Sequence, residues 1–107
     1  ERFLNAAAKS ATFTVWGDDA TGSPKDIYLV TTGSSAVTAN LPAVATADAT
    51  AGRVVTIMKI DGGAGAVTID GNSSETINGA TTVALSSQYN YRTLVSNGSA
   101  WYVISSS

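Results

Sequence analysis

Three groups of residues in this chain have types and spacing that invite a chemical reading. Gly17, Asp18, Asp19, Ala20, Thr21, Gly22 and Ser23 have the glycine spacing of a phosphate-binding loop. The Lys and hydroxyl residue that should follow Gly22 are missing and no long helix comes after, so a polar surface loop is the reading to keep. Asp18 and Asp19 are neighbours; in an extended chain they face opposite ways and make a poor acid/base pair. Asp70, Asn72 and Ser74 alternate like the start of a calcium loop, but Glu75 arrives too early and the twelfth position is Thr81 instead of Glu. A hairpin turn accounts for them. Trp101, Tyr102, Tyr89 and Tyr91 concentrate aromatic surface near the C-terminus, suited in principle to stacking on a glycan or peptide. Filling the core and a subunit contact is the expected role, given how regularly Trp and Tyr are buried.

Cysteine and histidine are both absent. That removes disulfides, the usual zinc ligands, the Cys-His and Ser-His nucleophile pairs, and the common general base near neutral pH. No catalytic, cofactor-binding or metal-binding residue is assigned, no cofactor is expected, and the expected role is non-enzymatic. Charged residues make up 13% of the chain, the net charge is −2, and the six basic residues are scattered singly. Nucleic-acid affinity comes from clustered Lys and Arg, so no nucleic-acid partner is expected. No apolar run is long enough to cross a bilayer and no signal-peptide pattern opens the chain, so no membrane partner is expected either. The chain begins at Glu1, which fits a processed product or an excised portion of something longer.

At 107 residues there is room for one compact domain with one core. Residues 1–11 read as an N-terminal arm or the end of a stalk, helical or extended. Ala is the best helix former, and Phe3, Leu4, Ala7, Ala8 and Ala11 share one helical face. From Thr12 the period becomes two, and residues 12–107 read as a small antiparallel β-sandwich. Strands are predicted at 12–16, 26–32, 36–41, 53–60, 66–70, 75–78, 82–85, 88–96 and 100–104, with Gly, Asn, Asp and Ser turns between them. Asn97-Gly98 predicts a tight hairpin joining the last two strands, and Gly62, Gly63 and Gly65 predict a mobile hairpin loop between Ile60 and Val67. Several strands are apolar on both faces. Val55 and Ile57 oppose Val54, Met58 and Ile60, and Ile27 with Leu29 opposes Tyr28 with Val30. A solvated face would be polar at alternate positions, so a neighbouring copy is the expected cover.

The motifs Leu41-Pro42, VVTIMK at Val54–Lys59, VTID at Val67–Asp70, SETING at 74–79 and LVSNGSAWYVI at 94–104 occur in that order over more than half the chain. This succession resembles a β module of phage tail fibres, tail-needle knobs and head-fibre or capsid-decoration proteins. The resemblance implies a virion structural role on the particle surface or tail, a trimeric and often jelly-roll-like sandwich, and other virion proteins such as a fibre stalk, tail or capsid as partners. It also implies an alternative in which the loops bind a host-surface glycan or small ligand. Fold alone does not choose between these jobs.

Overall fold

The computed structural model describes residues 6–16, 26–43 and 53–107. All regular structure among them is β: β1 (Ala6–Lys9), β2 (Phe13–Thr14), β3 (Ile27–Val30), β4 (Val37–Asn40), β5 (Val54–Lys59), β6 (Val67–Asp70), β7 (Thr82–Leu85), β8 (Tyr91–Ser96) and β9 (Trp101–Ser106). They form a five-stranded sheet in the order β1-β3-β5-β8-β9 and a four-stranded sheet in the order β2-β4-β6-β7.

Over its first six strands the chain alternates between the two sheets, so each strand returns beside the one two steps earlier. β1, β3 and β5 therefore pair in parallel, as do β2, β4 and β6. Then β7 and β8 reverse direction against β6 and β5, and β9 reverses against β8. Both sheets are mixed, which corrects the all-antiparallel, jelly-roll-like expectation. Alternating burial was legible in the sequence, but a strand's partner depends on where the corners send it.

Two local readings are also decided. Of the helical and extended alternatives for the N-terminal residues, Ala6–Lys9 takes the extended one, as an edge strand in register with Ile27–Val30. Helix propensity is a weak prior, and four backbone positions laid along β3 override it. The glycines after Ile60 do not close a hairpin: β5 and β6 lie in different sheets, and the corner between them stacks on the β3 to β4 corner. A Cβ on Gly63 would sit 2.1 Å from the Gly33 carbonyl oxygen, and one on Gly65 2.2 Å from that of Ser35. Only a residue without a side chain lets the two backbones approach that closely.

The buried residues of both sheets make one cluster. The inward positions of β3, β5 and β8 supply Tyr28, Val30, Val55, Ile57 and Leu94, facing Phe13, Val37, Ala39, Val67, Ile69 and Leu85 from the other sheet. Tyr28 links the layers directly: its ring lies 4.9 Å from Phe13, and its hydroxyl accepts the Trp16 backbone N–H at 2.8 Å. The β8–β9 hairpin forms around Asn97-Gly98 as expected, with a bulge at Thr93/Leu94. Gly98 alone takes the positive φ, of 89°, while the Asn97 Oδ1 accepts the Ser99 and Ala100 N–H groups at 2.9 Å each. Residues 75–78 are not a strand but a cover for the free edge of β9. Trp101 N–H donates to Thr76 O, Asn78 N–H donates to Trp101 O, and the Asn78 Oδ1 accepts Val103 N–H. Such covering blocks edge-to-edge aggregation.

Candidate functional site

The loop from Gly17 to Ser23, with Asp18 and Asp19, lies outside the described residues. Asp70 ends β6 on its outward face beside Asn40 and Thr82. Asn72 and Ser74 are exposed in the following turn, where Asn72 O accepts Glu75 N–H. Among the described residues no group of three or more Asp, Glu, His or Cys side chains is placed to hold a metal.

The aromatic group divides. Trp101 is wholly buried, its ring 6.0 Å from that of Trp16, which in turn lies under the Arg53 guanidinium at 4.1 Å. Tyr91 is half-buried and shares a 3.2 Å hydrogen bond with the Ser105 hydroxyl. Tyr102 and Tyr89 are exposed, by 45% and 61%.

The densest polar cluster was not singled out from the sequence. Lys59 ends β5 on the buried face, in line with Val55 and Ile57, and is wholly inaccessible. Its ammonium meets three acceptors: Asp61 O at 2.7 Å, Gly63 O at 2.9 Å and Asp61 Oδ1 at 3.1 Å. Asp61, 21% exposed, also accepts backbone N–H groups from Gly33 (2.9 Å), Thr32 (3.0 Å) and Gly63 (3.1 Å). Those donors, Thr32 first and then Gly33, hold its carboxyl far below the ordinary carboxylate range; partial burial opposes them, and Lys59 and Gly63 add to them. Every strong group here is engaged by another part of the same corner. The cluster ties the β3 to β4 and β5 to β6 corners together and offers no free acid or base. A lysine at the third inward position of an otherwise apolar strand was the sequence signal for it.

The two outer faces differ in chemistry. On the four-stranded sheet the outward positions are Thr14, Thr38, Asn40, Thr68, Asp70, Thr82 and Ala84, a face made for water. On the five-stranded sheet they carry no charge. Val54, Val95 and Tyr102 form one row across β5, β8 and β9. Leu29, Met58 and Tyr91 form another, and Ile27, Thr56 and Thr93 lie between them. The Thr56 and Thr93 hydroxyls bond each other at 2.9 Å, which removes much of this row's demand for water. Beside the bulge, Ile104 is 58% exposed. Exposed apolar surface concentrated on one face is the signature of a contact surface. No family model and no curated protein matches the chain.

Proposed function

We propose that this chain is a non-enzymatic structural module of a phage particle. It is a β-sandwich that works as a trimer at a fibre tip, needle knob or capsid surface, holding subunits together and presenting its loops outward. The observation that carries the reading is the contrast between the outer faces: one sheet is dressed mainly in Thr, Asn and Asp, the other mainly in Val, Leu, Ile, Met and Tyr, with Thr56 and Thr93 bonded to each other among them. A solvated sheet has no use for the second pattern, whereas a sheet covered by neighbouring copies requires it. The motifs behind the resemblance serve the scaffold. VVTIMK is β5, VTID is β6, SETING covers the edge of β9, and LVSNGSAWYVI is the closing hairpin. The trimer and the virion setting rest on the resemblance; the need for a covering copy rests on the face itself.

Light scattering on the purified chain tests assembly. The expected mass is three times 10.8 kDa. Ile104→Asp combined with Tyr102→Asp should shift the chain to monomer with its circular dichroism unchanged, because a charge on each copy would be buried without a partner. A wild-type monomer at micromolar concentration would overturn the assembly reading. Genes flanking its own should encode tail or capsid components.

A further inference from the structure

The chain has two Asn-Gly pairs, Asn78-Gly79 and Asn97-Gly98. This dipeptide carries a latent reaction. The glycine backbone nitrogen can attack Cγ of the asparagine side chain, and with no side chain on the glycine little obstructs closure of the five-membered ring. Both pairs are exposed and both sit in turns, yet the fold treats the two asparagine side chains differently.

Asn78 is drawn away from its own turn. Its Oδ1 accepts Val103 N–H at 3.0 Å, from a residue 25 positions on, and its backbone N–H is held by Trp101 O at 3.0 Å. Ile77 and Ala80 exchange two backbone hydrogen bonds around it, at 2.6 and 3.0 Å. Turning the Asn78 amide onto Gly79 gives up a bond that covers the β9 edge.

Asn97 is folded over its own turn. Its Oδ1 accepts two N–H groups, from Ser99 and Ala100, at 2.9 Å each. Attack on Cγ develops negative charge on that oxygen, and two donors already within hydrogen-bond distance are the arrangement that stabilises such an oxyanion. The attacking atom is oriented as well. Gly98 N–H donates to the Ser96 hydroxyl oxygen at 3.1 Å, and Ser96 is only 1% exposed, so this acceptor is fixed in place. Asn97, Gly98 and Ser99 are all open to water.

We infer that Asn97 is a self-modifying site, at which the folded turn converts the asparagine to an acid with water as the only co-reactant. This goes beyond the assembly role and does not depend on it. Gly98 N forms a bond to Asn97 Cγ, the Cγ–Nδ2 bond breaks, and Nδ2 leaves as ammonia carrying the proton that Gly98 N has lost. Water then adds to one carbonyl of the resulting succinimide and opens it. Addition at Cγ gives aspartate; addition at the main-chain carbonyl gives isoaspartate, with an extra carbon in the main chain of the turn. Nothing is oxidised or reduced, and the chain, of net charge −2, gains one negative charge. The aspartate keeps both N–H bonds and strengthens them with a full charge. Ser96 is a positioning residue, acting through Gly98.

The test incubates the whole chain, folded and in concentrated urea, at mildly alkaline pH. Mass spectrometry reads each Asn-Gly peptide over time, with isoaspartate told from aspartate by fragmentation. In urea the two pairs should react at similar rates. In the folded chain Asn97 should keep at least its urea rate, while Asn78 should slow by about tenfold or more. Folded Ser96→Ala should react several-fold more slowly at Asn97, Ser96→Thr should restore the rate, and neither should alter it in urea. Folding that protects Asn97 as much as Asn78 would overturn the proposal, because the two N–H bonds would then be holding the amide at rest. So would a folded Ser96→Ala protein that reacts at the wild-type rate. The wild-type comparison stands whether or not Ser96→Ala folds.

Discussion

The Asp61 carboxylate accepts from three backbone N–H groups and the Lys59 ammonium, with the Thr32 hydroxyl 3.2 Å from its Oδ1. Each favours the anion, so the folded state holds the proton more weakly than the unfolded chain, where an Asp titrates near about 3.9. With the folded value depressed, the stabilisation is fully present above the unfolded value and is lost as pH falls from about 4 toward the folded one. Thermal melts between pH 7 and pH 2 should show the wild type losing Tm on the acid side. Asp61→Asn should start lower at pH 7 and fall less steeply, and parallel acid limbs would mean that other carboxylates set the acid sensitivity. Half of this arrangement was legible in the sequence. Alternation puts Lys59 on the inner face of β5, and a lysine there demands an acceptor. The rest was not, because Thr32 lies 29 residues from Asp61 and meets it only once the two corners stack.

At the scale of elements, period-two patterning located the strands closely. Thr82–Leu85 falls where expected, and the observed β3, β4, β5, β6 and β8 lie inside their expected spans. Pairing partners were a different matter. Alternation says which side of a strand is buried but not whether the next strand lies beside it or across the core, and the glycines after Ile60 suit a hairpin and a tight corner equally well. The close approach of Gly63 and Gly65 to the preceding corner distinguishes the two, and it exists only in three dimensions. The closing hairpin was legible because Asn-Gly constrains the turn itself. Leu94 is wholly buried there, opposite Val55 and Val103, so Leu94→Ala should cost about 2–5 kcal/mol. Asn97→Ala removes two hydrogen bonds at an exposed turn and should cost about 0.5–1.5 kcal/mol. Urea denaturation of both variants at one protein concentration checks the order, and a larger loss at Asn97 would mean that the turn, not the packing, holds the hairpin.

For the molecule as a whole, the parallel ladders give β1 a structural duty that an arm or stalk would not have. β1 extends the five-stranded sheet past β3 in register, and Lys9 O accepts Thr31 N–H at 2.9 Å. Ala7 packs on the core, and the Lys9 ammonium lies 5.6 and 5.9 Å from the Phe13 and Tyr28 ring centres. Deleting Glu1 to Ser10 strips that cover from the aromatic pair linking the two sheets and leaves the β3 edge open. The deletion should therefore lower the Tm by about 5–15 °C, the shift expected for about 1–3 kcal/mol in a domain of this size. It should also leave the assembled mass unchanged, because Tyr102 and Ile104, the most exposed apolar residues at the proposed contact, lie on β9 at the opposite edge of the sheet from β1. Scanning calorimetry and light scattering on the same preparation read both quantities. An unchanged Tm would show that β1 is an appendage whose pairing contributes nothing. A lower Tm with loss of assembly would show that copies meet through the β1 edge instead of the β8–β9 side of the face.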